Sequence, residues 1–223
     1  MGQHDWYRNT HWNPATEAAF RAKLSRSRSQ GPQYLKIQAG YLASKYPQVA
    51  LELIAEYLET GDEFFIPDAF CTQAEAFTQL GELGEAVQAY KRALDWEKDR
   101  PGLITAARLE LPKLVADKRL TSEYDYALEV LSTLFKPEDH AFPNHRYVWN
   151  GANALIAHDT GHLAEAQEFA ERALRAAAET ESPFRQHKQL GLVRDSSDEF
   201  GRRIKRIARP SKLRALLRIV SSR

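Results

Sequence analysis

The amino-acid sequence predicts an all-α protein built from stacked helical hairpins, and three observations support this. Apolar residues recur at three- and four-residue spacing along almost the whole chain, as they do in amphipathic helices. No segment combines sustained alternation with the Val, Ile and Thr content of a β-strand. Short turns marked by Gly or Pro separate the apolar segments, and two of these turns have similar sequences. With 223 residues, 43% of them hydrophobic, the chain can bury the core of one domain or one repeat array.

Residues 1–30 predict a separate N-terminal capping segment. Asn13 followed by Pro14 is a typical helix start, because the Asn side chain accepts from a free N–H group and Pro lacks an N–H where none is needed. Phe20 and Leu24 then share one apolar stripe. We expect this helix to cover the open end of the first repeat, since terminal repeats need such a cap.

The clearest repeat is a pair of helices joined by a glycine turn. The pattern predicts helices over 68–80 and 84–96 on either side of Gly81. The six residues from Gly81, GELGEA, match the six from Gly161, GHLAEA. Two weaker copies can be placed on the same frame. Pro112 falls inside the first helix of the third copy, where we expect a kink or a break because proline removes a helical hydrogen bond.

These copies resemble the tetratricopeptide repeat (TPR), which has small residues where its two helices cross. Each copy has an alanine at the equivalent position: Ala50, Ala86, Ala127 and Ala166. The resemblance implies a TPR-like helical-hairpin solenoid of about four helix pairs over residues 31–180, similar to bacterial TPR proteins of unassigned function. Because stacked pairs leave a curved surface free, it also implies a protein–protein interaction scaffold that holds a peptide or helix of a partner in its concave groove.

The first helix of each pair lines the concave groove of a TPR array. Projected onto this chain, the family pattern places there Leu35, Ala39, Leu42, Asp68, Cys71, Glu75, Thr78, Leu109, Arg119, Val148, Leu155 and His158. This mixture is apolar with acidic spots and favours a basic, amphipathic partner helix. The Lys, Arg and Asn residues of the family's peptide-carboxylate clamp are largely missing, which disfavours a chaperone-tail adaptor. In the alternative interpretation, many of these side chains only contact neighbouring repeats.

The C-terminal part of the chain divides into a polar linker, residues 181–198, and a basic amphipathic helical tail, residues 199–223. The net charge of +1 conceals this asymmetry, because no acidic residue follows Gly201. The tail's basic residues include Arg202, Arg203, Lys205, Arg206, Arg209, Lys212, Arg214 and Arg218. Three interpretations remain open: docking on its own repeats or on a protein partner, contact with an anionic membrane, or contact with nucleic-acid phosphates.

The sequence offers no catalytic, metal or cofactor site. The single cysteine excludes a disulfide framework and a cysteine-built zinc site, and the chain has no glycine-rich phosphate loop or GxSxG elbow. Cys71 is flanked by Asp68 and Glu75, which are expected to raise the pKa of its thiol. His158 and His162 are four residues apart, but Gly161 interrupts the helix between them.

Two other functions fit the same architecture. One is an immunity- or antitoxin-like protein that blocks a toxic enzyme with its acidic surface, and the other is an enzyme subunit with an unrecognised site. We expect a cytoplasmic location, because the start of the chain has no apolar signal region and no stretch of about 18 apolar residues occurs.

Overall fold

The protein is all-helical in the computed structural model, which describes residues 5–27, 29–100, 102–135, 142–184 and 186–209. These residues contain ten α-helices and no strand, so the predicted all-α fold of helical hairpins is confirmed. The helices are α1 (Pro14–Leu24), α2 (Gly31–Leu42), α3 (Pro47–Glu59), α4 (Ile66–Leu80), α5 (Leu83–Lys98), α6 (Ala107–Asp117), α7 (Tyr124–Glu129), α8 (Pro143–Asp159), α9 (Leu163–Ala177) and α10 (Glu199–Ile207).

The chain forms two compact units, Met1–Ala107 and Arg108–Arg223, which we call the N-terminal and C-terminal units. In the N-terminal unit, α2 pairs with α3, α4 pairs with α5, and α3 packs against α4. Gly81 makes the turn between α4 and α5 in the left-handed conformation, with φ of +79°, which glycine adopts without steric cost.

The N-terminal helix α1 begins as the sequence predicted. The Asn13 side chain accepts a hydrogen bond of 2.9 Å from the backbone N–H of Thr16, and Pro14 is the first helical residue. Phe20 is buried in the core of the unit, where Trp6 and Trp12 contact its ring at centroid distances of 5.6 Å. These aromatic contacts help to hold α1 on the helix pairs, together with the ion pair between Arg21 of α1 and Glu56 of α3.

In the C-terminal unit, α8 and α9 form the best-developed pair and α10 packs against both of them. A 3₁₀ turn precedes the short helix α7, and a π-helical turn continues it. We expected a kink or a break at Pro112. Helix α6 continues through this residue, so the helix is not broken there. One missing N–H bond is tolerated there because Leu111 and Val115 are fully buried and hold the helix in place.

The alanines at the equivalent positions of the four repeat copies are all buried. Ala50, Ala86, Ala127 and Ala166 all have no exposed surface, as the TPR-like pattern predicted. A larger side chain at such a position would have to displace the facing helix.

We therefore expect Ala86→Leu and Ala166→Leu each to lower the free energy of unfolding by about 1–3 kcal/mol, the usual cost of overpacking a core. Urea denaturation followed by circular dichroism measures the effect. Ala55→Leu is the matched control, because Ala55 lies on the exposed side of α3. Unchanged unfolding midpoints for the two core variants would show that these alanines do not occupy close helix crossings.

Candidate functional site

The N-terminal unit has an open cleft between its two first helices. A space of about 290 Å³ is lined by Lys36, Ile37, Gly40 and Tyr41 of α2 and by Thr72 of α4. The space at Gly40 is open: a Cβ atom there would come no closer than 3.9 Å to the Thr72 hydroxyl. Tyr41 is 45% exposed, so its ring is available to a bound side chain.

Opposite charges meet at one end of this cleft. The Lys36 ammonium lies 3.2 Å from the Asp68 carboxylate and 5.4 Å from the centre of the Phe65 ring. Lys36 is mostly covered, whereas Asp68 remains half-exposed. Glu75 lies two turns further along α4 and is also exposed. The α4 side of the cleft therefore presents carboxylates to solvent.

The structure separates the predicted groove residues of the N-terminal unit into two groups. On α4, Asp68 and Glu75 are exposed, and Cys71 and Thr78 are partly exposed. On α2, the residues that line the cleft come one position after the predicted ones. Lys36 lies there instead of Leu35, and Gly40 instead of Ala39. The predicted residues on α2 are buried in the core, with at most 5% of their surface exposed: Leu35, Ala39 and Leu42. A rotation of about 100° per residue around the helix axis accounts for the offset.

The environment of Cys71, a partly buried residue, makes its thiol unreactive. Its pKa is raised to about 11, mainly by burial and to a smaller extent by the charges of Asp68 and Glu97, while hydrogen bonds with Thr105 and the Ala107 backbone offset part of the rise. The thiol is therefore protonated near neutral pH and is a poor nucleophile. The described residues contain no group of His, Cys, Asp and Glu side chains that could hold a metal ion.

In the C-terminal unit, a segment of the chain itself lies beside α6 and α8. Leu109 of α6 and Val148 of α8, both predicted groove residues, line a cleft of about 400 Å³ whose other wall is formed mainly by residues 189–195. We call residues 189–195 the strap. The backbone N–H of Asn144 donates to the Gly191 carbonyl at 2.8 Å, which ties the strap to the start of α8.

Gly191 is needed at the contact between the strap and α8. Its φ of +77° lies in the left-handed region, and a Cβ atom would come within 2.0 Å of the Phe142 ring. The Leu190 carbonyl also accepts from the Ser182 hydroxyl at 2.8 Å. The strap is thus hydrogen-bonded at two adjacent residues, Leu190 and Gly191, and it forms one wall of the cleft that α6 and α8 line.

The remaining predicted groove residues of this unit do not line the strap cleft. Leu155 has no exposed surface and packs in the core. Arg119 and His158 are exposed, and both approach the Asp159 carboxylate, at 3.4 Å and 3.3 Å. They therefore belong to a polar cluster centred on Asp159, at the C-terminal end of α8.

The centre of that cluster is an ion pair between Asp159 and Arg203 of α10. The Arg203 guanidinium donates to Asp159 at 2.8 Å, and its other nitrogen donates to the carbonyls of Ala116 and Asp117 at 2.8 Å and 3.0 Å. Tyr124 adds a hydrogen bond to Asp159 of 2.9 Å. Arg203 is 5% exposed, so it joins α10 to the C-terminal ends of α6 and α8 from inside the unit.

The pKa of Asp159 reflects this environment. Burial favours the neutral acid, but hydrogen bonds from Tyr124 and His158 and the charges of Arg203 and Arg119 outweigh it and lower the pKa below 3.8. Sequence analysis did not find this cluster. The one feature of the sequence that indicates this cluster is Arg203, which lies on the apolar face of α10 between Phe200 and Ile207.

The basic tail is therefore divided by the structure. Arg203 points inward, while Arg202, Lys205, Arg206 and Arg209 are exposed. Phe200 and Ile204 complete the buried face and lie so close to α8 that a Cβ atom on Gly151 would be 2.6–2.7 Å from their side chains. The other predicted basic residues lie outside the described residues: Lys212, Arg214 and Arg218.

Comparison with known protein families identifies one repeat. Residues 67–100, which include nearly all of α4 and α5, match the family model of the tetratricopeptide repeat. No curated protein and no solved structure showed significant similarity to the chain. Proteins with this repeat are in general non-enzymatic scaffolds, and the repeat supports a role in protein–protein interaction. None of the helices in the described ranges is long and apolar enough to span a membrane.

We expect Arg203→Met to lower the free energy of unfolding by about 3 kcal/mol, because it leaves the Asp159 carboxylate and two helix-end carbonyls without their main donor. Arg206→Met, an exposed neighbour on the same helix, is the control and should change stability by less than about 0.5 kcal/mol. Thermal unfolding of both variants checks this. Equal melting temperatures would show that Arg203 does not hold α10 in place.

We expect Gly191→Ala to detach the strap, because the added Cβ atom collides with Phe142. Trypsin should then cleave after Lys188 and Arg194 several-fold faster than in the parent protein. Gly161→Ala is the control: Gly161 has a similar φ of +88°, but a Cβ atom there meets nothing within 4 Å. If the two variants are cleaved equally fast, backbone strain and not the Phe142 contact explains the result.

Proposed function

We propose that this tetratricopeptide-like helical repeat protein binds a protein partner, and that a basic, amphipathic peptide or helix of the partner lies along α2 and α4 of the N-terminal unit. The observation that carries the proposal is the open cleft at Gly40, next to the half-exposed Asp68 carboxylate. Helical repeats commonly present their first helices to a ligand in this way.

The size of the cleft favours one anchoring side chain over a whole small molecule. Its volume of about 290 Å³ lies just below the range of about 300–1,000 Å³ that is usual for small-molecule sites. Ile37 and Tyr41 provide apolar contact, and Thr72 adds a hydroxyl. An amphipathic helix would place one apolar residue in the cleft and extend along both helices.

Charge supports a basic partner. The exposed carboxylates of Asp68 and Glu75 lie on the α4 side, and residues 31–200 carry 28 acidic residues against 17 basic ones. An acidic surface raises the association rate of a basic peptide and disfavours an acidic one. We further propose that binding takes place in a reducing cytoplasm, where the lone Cys71 stays a thiol.

Selection of a random peptide display library against the full-length chain tests the specificity. We expect the enriched peptides to combine Lys or Arg with apolar residues at helical spacing. Gly40→Arg should weaken their binding at least about tenfold, because it fills the cleft and adds a positive charge, with no loss of thermal stability. The dissociation constant is measured by isothermal titration calorimetry with a synthesised peptide.

The control is Gly84→Arg, which adds the same side chain at an exposed position of α5 where a Cβ atom meets nothing within 4 Å. It should leave peptide affinity unchanged. Two results would contradict the proposal: enriched peptides that are acidic, or peptides that bind the Gly40→Arg protein as tightly as the parent.

A further inference from the structure

We propose that Phe64, in the loop between α3 and α4, is a second contact point for the basic partner, and that its ring packs on the side chain of a Lys or Arg residue of that partner. This inference rests on the proposed function and deepens it, because it assigns a residue that selects for a basic peptide. The exposure of Phe64, the hydrogen bonds that hold its loop and the charges around it support the assignment.

Among the residues that the structure describes, Phe64 is the most exposed large apolar one, with 80% of its surface exposed. The neighbouring Phe65 packs against the core of the N-terminal unit and contacts the Phe64 ring edge-on, at a centroid distance of 4.7 Å. Most of the Phe64 ring is therefore accessible to a partner. A single exposed apolar side chain is common on protein surfaces, so its exposure alone does not assign a contact.

The loop that carries Phe64 is held by hydrogen bonds on both sides of this residue. The hydroxyl of the buried Tyr57 donates to the Asp62 carbonyl at 2.7 Å and accepts from the Phe65 backbone N–H at 2.9 Å. The Phe64 backbone N–H donates to the Asp62 carboxylate at 3.0 Å. The backbone is thus held in place before a partner binds, which lowers the entropic cost of a contact with the ring.

Phe64 is joined to the peptide cleft through Phe65. The Phe65 ring contacts Phe64 on one side, and its centre lies 5.4 Å from the ammonium of Lys36, which lines the cleft. Phe64 therefore flanks the end of the cleft at which Lys36 pairs with Asp68. A partner helix with one apolar residue at Gly40 can extend past this end and meet the ring.

The charges around Phe64 favour a cation. Residues 46–90 contain nine acidic residues and no Lys, Arg or His. Glu63, next to Phe64 in the loop, is exposed, and its ion pair with Arg100 is long, at 3.8 Å, so it is weak. The Arg100 guanidinium itself stacks on Trp96, 3.8 Å from the ring centre. A partner Lys or Arg at Phe64 would make the same kind of contact and would also gain the nearby carboxylates.

Parallel selections of a random peptide library against the parent chain and against Phe64→Leu test the assignment. The variant keeps an apolar side chain and loses the aromatic ring. We expect Lys or Arg to be enriched at one position against the parent and not against Phe64→Leu, while the apolar positions remain enriched against both. Phe184→Leu is the matched control, because it removes a 48% exposed ring from the C-terminal unit, and it should select the same peptides as the parent.

Titration calorimetry with one selected peptide measures the contact. Phe64→Leu should weaken binding about three- to fivefold, the usual size of a cation–π contact at an exposed site, without a change in melting temperature. Replacing the selected Lys or Arg of the peptide by Gln should abolish this difference between the parent and Phe64→Leu, because the contact is then already absent.

The outcomes separate this assignment from the proposed function. Peptides that bind Gly40→Arg weakly but Phe64→Leu as tightly as the parent would overturn the assignment alone. So would a loss in Phe64→Leu that persists with the Gln peptide, or a parent chain that sediments as a dimer while Phe64→Leu sediments as a monomer, since a second copy would then cover the ring. If no peptide is enriched against the parent, or if the enriched peptides are acidic, the proposed function and this assignment both fail.

Discussion

The close approach of paired helices is the constraint on which the rest of the structure depends. Short amphipathic helices are marginal by themselves and gain their stability by burying one face against a neighbour. The alanines at the equivalent repeat positions are part of that buried surface, because each of them is fully covered. Gly151 extends the same principle in the C-terminal unit, where even one added carbon would meet Phe200 and Ile204. The cleft of α2 and α4 and the exposed side of α10 are surfaces that these close contacts leave uncovered.

The C-terminal helix shows how one charged residue can belong to the fold while its neighbours remain available. Arg203 satisfies two carbonyls at the end of α6 and the Asp159 carboxylate at the end of α8, so each of these polar groups gains a partner away from water. A buried arginine without such partners would be strongly unfavourable. Arg206, on the exposed side of the same helix, and Arg209, just beyond its end, meet no such demand and keep their hydration. The basic residues of α10 therefore do not all face solvent.

The two units present their first helices differently. In the N-terminal unit, α2 and α4 form an open cleft at Gly40, and the half-exposed Asp68 carboxylate lies beside it. In the C-terminal unit the strap lies over α6 and α8, held by the Asn144 hydrogen bond and by the fit of Gly191 against Phe142. A segment of the same chain occupies such a face at a lower entropic cost than a separate partner would, because it is already tethered. The peptide site that we propose is the cleft of the N-terminal unit, which is lined by α2 and α4 alone.

The sequence by itself determined the local features: the helix pairs, the glycine turns, the Asn13 cap and the alanines at the crossings. Each depends on residues within a few positions of one another, through periodicity, backbone conformation or a short-range hydrogen bond. Tertiary structure decided which side of α2 faces the cleft, since Lys36 and Gly40 replace Leu35 and Ala39 there. It also decided the position of the strap and the inward direction of Arg203, whose partner Asp159 is 44 residues away. Such choices depend on how whole helices rotate and pack, and no short segment carries that information.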